Sequence, residues 1–418
     1  MSNKLRNRFL ALLLLLAFVA VGFLYFFNWV VQRPFAIIVF VADGMNAGAL
    51  TAARIYAGGA ERPLRLEQFP NLALLRNHAN DYAVPSAASA GTAIATGRKG
   101  NNRSLGIDPS GKPLENLLEA ARAAGRATGL VSNVSIVGVG AAAFFAETPD
   151  AGDRSGIAAK LVEGFAPDVI IGGGEAEFLP DIQGGLRVDG RDLTLEMRRK
   201  GFDIARTKLE LDNTPPWRGP RVFALLSRGD MEFSAVVKDR ASQPSLSEMV
   251  QSAIQFLQFN RRGYVLVVDV GLIEKAARAN QAERMLQEIG ELDAAVQTAV
   301  DYAGKDAMVL VLGKQSVGGL RMNGYPFRSD KGVATVGVTA QGIPAVTWST
   351  GPTGPQPPSE SAATPPVSVT SSDVAAAFAP SAENVAEDTI ALATGQNTER
   401  VRGFLDNTAI FQILHDNL

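Results

Sequence analysis

No cysteine occurs among the 418 residues of this chain, and only two histidines, His78 and His415. The first absence excludes disulfides, thiolate metal sites and cysteine nucleophiles. The second leaves almost nothing from which to assemble an imidazole-rich metal centre. Neither sign of charge is in excess, since 40 Lys and Arg stand against 42 Asp and Glu. A net charge of −2 argues against general nucleic-acid binding. What the chain does have is length, enough for a substantial core in one large α/β domain or two smaller ones.

It also has one long apolar run. Phe9 to Phe27 is 19 residues without a charge or strongly polar side chain, and continued through Asn28 to Val31 it reaches 23. That spans a bilayer core of about 30 Å as a helix. Lys4, Arg6 and Arg8 precede it, so the positive-inside tendency places the N-terminus in the cytoplasm and everything after Arg33 outside. A cleaved signal peptide is the competing reading, because Ala20-Val21-Gly22 has the small-x-small form of a processing site. Against cleavage, Phe23 to Phe27 prolongs the apolar run and Trp29 supplies an interfacial anchor. A buried helix of a soluble core is a third reading. The expected layout is a cytoplasmic tail at 1–8, a single-pass anchor in the cytoplasmic membrane at 9–31, and a periplasmic or extracellular domain at 35–418.

After the anchor, buried-strand patterns are expected at Phe35–Ala42, Thr128–Ser132, Asp168–Ile171, Val222–Leu226, Tyr264–Asp269 and Met308–Leu312. Helical patterns lie between them, at about Ala47–Tyr56, Ala88–Thr96, Leu114–Ala124, Ser155–Glu163, Ser245–Phe259 and Glu274–Tyr302. Such alternation predicts an α/β fold with a largely parallel sheet covered on both faces, whose sites collect at the carboxyl ends of the strands. Gly351–Ser372, interrupted by Pro352, Pro355, Pro357, Pro358, Pro365 and Pro366, reads as an exposed loop. The 46 residues from Asp373 onward are too few for a stable domain of their own.

The most informative segment is Val84-Pro85-Ser86-Ala87-Ala88-Ser89-Ala90-Gly91-Thr92. It resembles the alkaline phosphatase signature, with the family's Asp on Ser86 and its nucleophilic serine on Ala87. Asp43-Gly44-Met45, Gly129–Ser132, Ala141–Ala146, Ile170–Gly174, Gly271–Asn280, Leu292-Asp293 and Gly318-Gly319 follow the family's order. The resemblance implies the three-layer alkaline phosphatase fold, phosphomonoester hydrolysis on two zinc ions and a magnesium, and commonly a homodimer. In that chemistry one metal activates the serine, another stabilises the leaving oxygen, and an arginine clamps the phosphoryl group.

Most positions that would carry this chemistry are changed. Asp43 matches the carboxylate that would bridge one zinc and the magnesium. A metal-side histidine and threonine fall on Gly138 and Gly140, another histidine on Glu147, and the clamping arginine on Ala151, with Arg154 three residues later. The motif Asp269–Asn280 keeps carboxylates at Asp269 and Glu274, but places Arg278 where a histidine is expected. In Val311–Gly319, Lys314 and Gln315 replace the family's metal-binding Asp and His. Val369 takes the place of a last histidine in Val369-Thr370-Ser371-Ser372-Asp373-Val374. Lys314 and Arg278 are therefore expected to neutralise Asp43, Asp269 and Glu274 by salt bridging. Ser86 and Ser89 are expected to cap a helix entry rather than act as nucleophiles.

The expectation is a membrane-anchored, catalytically degenerate alkaline phosphatase-like protein that serves as a binding, scaffold or structural subunit. No catalytic residue is intact, the two-zinc site is absent, and Asp43, Asp269 and Glu274 are vestigial metal ligands. A homodimer or a protein partner in a membrane complex is open, and nucleic acid is not a partner. The alternative is a weak metal-dependent phosphomonoesterase in which those three carboxylates hold one Mg²⁺ or Ca²⁺. A third reading is a pocket that binds an anionic ligand through Arg154, Arg278 or Lys314 without cleaving it.

Overall fold

The computed structural model describes residues 3–25, 34–219, 221–237, 243–323, 342–355 and 376–418. It opens with helix α1 (Asn3–Tyr25), whose residues from Lys4 on are exposed. Lys4–Tyr25 is long and apolar enough to cross a membrane, with a mean hydropathy of 2.4. The helix includes positions 3–8 of the expected cytoplasmic tail, while positions 26–31 of the expected anchor lie outside the described residues.

Strand β1 (Ala36–Gly44) follows and is buried along its whole length. Its side chains alternate between two cores, as the two-residue period of a strand requires. Ile38, Phe40 and Ala42 enter one core, and Ile37, Val39 and Val41 the other. Helix α2 (Ala47–Gly58), capped by Asn46, packs on the first of these, and β2 (Asn71–Arg76) adds a strand. Helices α3 (Ala87–Thr96) and α4 (Leu117–Ala123) cover the second core. Then come β3 (Ala127–Ser135), α5 (Val139–Ala142), α6 (Arg154–Glu163), β4 (Val169–Gly173), α7 (Leu193–Arg199), β5 (Phe202–Ala205), α8 (Lys208–Asp212) and β6 (Arg221–Leu225). The central pair of strands is completed by α9 (Leu246–Leu257), β7 (Tyr264–Val270), α10 (Leu272–Arg278), α11 (Ala282–Ala303) and β8 (Met308–Val317).

The long helix expected over Glu274–Tyr302 is two helices, because Asn280 adopts a left-handed φ of 54° between α10 and α11. Asparagine tolerates that conformation through its short polar side chain. Short strands β9 (Arg321–Met322) and β10 (Val346–Thr347) pair with each other, as do β11 (Thr350–Gly351) and β12 (Ala377–Phe378). The C-terminal residues join the main sheet through β13 (Asn384–Val385), β14 (Thr389–Gly395) and β15 (Gly403–Asp406), and α12 (Ala409–His415) packs on the second core. Residues 356–375, including most of the expected Pro-rich loop and the Val369–Val374 match, lie outside the described residues.

The sheet runs β15-β2-β14-β8-β1-β7-β3-β4-β6-β5, with β13 beside β8. Pairing is parallel except where β14 and β13 enter it. Helices on both faces make the three layers that alternating buried strands imply. The carboxyl ends of β1, β7 and β3 therefore converge on one edge, bringing Asp43, Asp269 and Ser132 together, with Lys314 of β8 alongside.

Candidate functional site

At this edge β1 and β8 are hydrogen-bonded neighbours, and the register shift between Ala42 and Gly44 turns Asp43 out of the regular ladder. The Lys314 ammonium, wholly buried, donates to Asp43 Oδ2 at 2.5 Å. Asn77 Nδ2 donates to the Lys314 carbonyl, and Gly91 of α3 lies against its methylenes, 3.7 Å from Cδ at the position of a Cβ. On the next strand Asp269 is equally buried, and its Oδ2 accepts from Ser132 Oγ at 2.7 Å. Ser132 is its register partner on β3.

Glu274 lies in the first turn of α10 and Arg278 one turn later, the spacing at which side chains on one helix face meet. The arginine donates to Glu274 Oε1 through Nε at 3.0 Å and Nη2 at 2.7 Å. Its remaining donors go to the Ala382 carbonyl at 2.7 Å and to Asn384 Oδ1 at 2.6 Å. Asn384 in turn donates to the Pro85 carbonyl, just ahead of α3, at 2.8 Å. Arg278 thus ties the C-terminal segment, through Asn384, to the entry of α3.

Burial pushes the Asp43 carboxyl well above the ordinary carboxylate range against the pull of Lys314, with Asp269 and Glu274 adding to the rise. Asp269 is pushed up to about 6, again chiefly by burial. Burial also disfavours the Glu274 carboxylate, but Lys314 and Arg278 together hold it below its usual value. For Lys314 burial disfavours the ammonium, yet the three carboxyls outweigh it and the pKa stands above the ordinary lysine value. Of the three carboxyls, Asp43 and Asp269 are therefore the two that burial makes slower to ionise, while Glu274 ionises more readily.

That arrangement carries a pH signature. In the unfolded chain Asp269 ionises near its ordinary 3.8, whereas in the fold it does so near 6. Between those values the folded state binds the extra proton, so the contribution of Asp269 is fully present below about pH 4 and is lost as pH rises through about 6. Asp269→Asn should flatten this fall in a urea-unfolding series from about pH 4 to about pH 7. A variant that keeps the wild-type slope would place the proton elsewhere.

The donor set does not suit a pair of zinc ions. Lys314 places an ammonium among the carboxylates, and Arg278 occupies the face of Glu274. Among the described residues no group of three or more His, Asp or Glu side chains is arranged to hold a metal. Asp43 Oδ1 and Asp269 Oδ1 are buried without a hydrogen-bond partner, as are both polar atoms of the Gln315 side chain. Gly140 explains how Asp269 fits so closely, because a Cβ at 140 would lie well inside van der Waals contact with Asp269 Oδ1 and 3.1 Å from Asp43 Oδ2.

Ala87 opens α3, and Ser86 is its N-cap. Ser86 Oγ accepts from the backbone N–H groups of Ser89 at 3.2 Å and Arg103 at 3.1 Å. Ser89 Oγ contacts Asn102 Oδ1 at 2.7 Å and the Ser86 carbonyl at 3.1 Å. Both hydroxyls serve the helix entry, and among the described residues neither is hydrogen-bonded to an imidazole or a carboxylate. Arg154, at the start of α6, pairs with Glu177. The other Glu177 oxygen accepts from Ser135 Oγ, while the Ser135 N–H donates to Asp230, which pairs with Lys275 at 2.9 Å. Arg154 therefore belongs to a second network, beside a cleft of about 340 Å³ lined by Gly152, Ser155, Glu177 and Arg187. Glu147, on which the resemblance places a histidine, is half-buried, and burial raises its pKa.

Sequence reasoning missed Ser132, Ser135, Glu177 and Asn384. Strand register could have pointed to Ser132 opposite Asp269. The 106 positions between Arg278 and Asn384 left no comparable signal.

A sequence profile of the family described as Alkaline phosphatase matches residues 36–418. Alkaline phosphatase 4 of Bacillus subtilis (strain 168) is 31% identical over 288 residues, covering 66% of this chain and 59% of that protein. The membrane-bound alkaline phosphatase of Bombyx mori is 29% identical over 352 residues, covering 72% of this chain and 63% of that protein. The chain thus spans less than two thirds of the length of these curated relatives. In fold it is similar to alkaline phosphatase from the Antarctic bacterium TAB5, with a TM-score of 0.72 at 21% identity over 92% of this chain and 98% of that one. Thermus thermophilus alkaline phosphatase gives a TM-score of 0.74 at 23% identity over 93% of this chain and 92% of that one.

Proposed function

Because the chain belongs to the alkaline phosphatase family yet holds a lysine and an arginine among the carboxylates of its site, we propose that it is a membrane-anchored pseudoenzyme. In this reading it acts as a binding, scaffold or structural subunit, with α1 in the cytoplasmic membrane, the N-terminus inside and residues 35–418 outside. A second copy or another membrane-complex protein is its partner. The observation that carries the reading is the Lys314 ammonium, fully buried and 2.5 Å from Asp43. A buried cation at that position repels a divalent metal, and an alanine at the head of α3 offers no oxygen to phosphorus.

The two orphaned oxygens, Asp43 Oδ1 and Asp269 Oδ1, favour the second reading, a reduced site for one Mg²⁺ or Ca²⁺ with weak phosphomonoesterase activity. Two oxygens are fewer than the six to eight such ions take, and Glu274 is already engaged by Arg278. An aryl phosphate assay of the full chain over a panel of divalent metals separates the readings. The expected result is no turnover above a metal-free control, in the native chain and in Ala87→Ser alike. Metal-dependent turnover that disappears in Asp43→Ala would establish the hydrolase instead.

A further inference from the structure

Strand β8 is paired unevenly where Lys314 lies. Toward β14 its ladder ends at Leu312, opposite Ala391, and the β13 pairing begins only at Ser316, opposite Val385. The Lys314 carbonyl falls in that interval, and the Asn77 carboxamide supplies a donor there. Asn77 follows β2 directly, as Asn407 follows β15, and the parallel register of Arg76 with Asp406 sets the two asparagines side by side. Both side chains are buried. Asn407 Nδ2 donates to Asn77 Oδ1 at 3.0 Å, and Lys99 Nζ donates to Asn407 Oδ1 at 2.6 Å. The bonds run in one direction, from Lys99 to the backbone of Lys314. Such a chain is strengthened by mutual polarisation, and deleting one member leaves its neighbours unpaired in the core.

Asn407 also opens the turn into α12, its carbonyl accepting from the Ile410 N–H at 3.4 Å. α12 buries Ile410, Ile413 and Leu414 in the second core. Phe411 lies against Gly97, the left-handed C-cap of α3, where a Cβ would stand 2.8 Å from its ring. Gly91 of the same helix packs on the Lys314 methylenes. α12 is thus connected to Lys314 twice, through the carboxamide pair to its carbonyl and through α3 to its side chain. An ammonium aimed at Asp43 needs both parts fixed.

We propose that α12 and the turn before it form a latch on the ion-pair edge, with Asn77 and Asn407 as positioning residues for Lys314. Seated, the latch holds the Lys314 ammonium on Asp43. Lifted, it frees residues 314–316 of β8 and lets the ion pair open, so that a group binding α12 acts on the edge from the far end of α3. Packed helices and buried hydrogen bonds are the media through which such coupling travels.

Hydrogen exchange of the full chain in detergent, read by mass spectrometry, tests the latch. Asn407→Leu keeps the side-chain volume and removes both bonds. It should raise exchange at residues 314–316 at least about tenfold, together with α12, while β4 and β6 exchange as in the native chain. Asn77→Leu should do the same at 314–316, and the double variant should exchange no more than about twofold faster than either single, since the two residues act in one chain. Exchange raised only in α12 and β15 would overturn the proposal, because the turn would then be structural alone. So would an equal rise in β4 and β6, which is global destabilisation, or a double variant whose increase is the product of the singles. If Asn407→Leu does not fold, Phe411→Ala tests the route through α3 and should loosen residues 314–316 likewise, or the latch fails. Because exchange reports on backbone amides, its outcome is separate from that of the phosphatase assay.

Discussion

Lys314→Met is expected to destabilise the fold by about 3–5 kcal/mol at neutral pH, read as a lowered urea midpoint with little change in slope. The substitution keeps most of the side-chain volume, so its effect is electrostatic rather than a cavity. Asp43 and Asp269 are almost wholly buried, and Lys314 is the cation whose field reaches Asp43, Asp269 and Glu274 alike. Without it these carboxyls must protonate or remain buried and uncompensated. Protonation becomes easier as pH falls, so the loss should shrink toward pH 5. A steric origin would leave it constant. Adding Asp43→Asn should recover much of the loss, since removing both members of a buried pair is far less harmful than removing one. If Lys314→Met proved neutral at pH 7, the ammonium would not be the keystone of this edge.

Restoring the threonine that the family resemblance places at position 140 should be harmful, not reparative. Gly140→Thr is expected to destabilise by about 3 kcal/mol, at the upper end of the usual range for overpacking. The new Cβ would meet Asp269 Oδ1 at once, and that carboxylate has little room to retreat, being held on its other oxygen by Ser132. Displacing it breaks a buried hydrogen bond as well as the packing. Thermal unfolding of Gly140→Thr beside Gly140→Ala would measure the effect. Alanine should carry most of the loss, because the conflict begins at Cβ. A tolerated threonine would mean that Asp269 is mobile and that the site retains the freedom to accept a ligand. Together the two variants imply that individual reversions cannot restore a metal centre, because Gly140, Asp269 and Lys314 have adjusted to one another.

Much of the fold was legible without coordinates because buried strands and their helices announce themselves locally. Apolar runs such as Tyr264–Val270 need no partner to be recognised, and all six expected strands occur within a few residues of their places. β2, β5 and β15 were not seen, since short or half-exposed strands lack a continuous apolar run; β14 was also missed, although its first five residues are buried. The single helix expected across Asn280 failed for a different reason. Hydrophobic periodicity continues through the break, and only the backbone conformation of one residue divides it.

The sequence by itself determined what this site lacks. Ala87, Gly138, Gly140 and Gln315 carry no nucleophile, imidazole or carboxylate in any conformation, and side-chain chemistry is a property of composition. The family resemblance also puts the cations Lys314 and Arg278 at positions where it would expect ligands. Only the tertiary structure decided what those cations do. Lys314 meets Asp43 across 271 positions because β1 and β8 are neighbours in a parallel sheet, and Arg278 reaches Asn384 because β13 folds back beside β8. Such contacts depend on strand order, which many sequences share and no local pattern encodes.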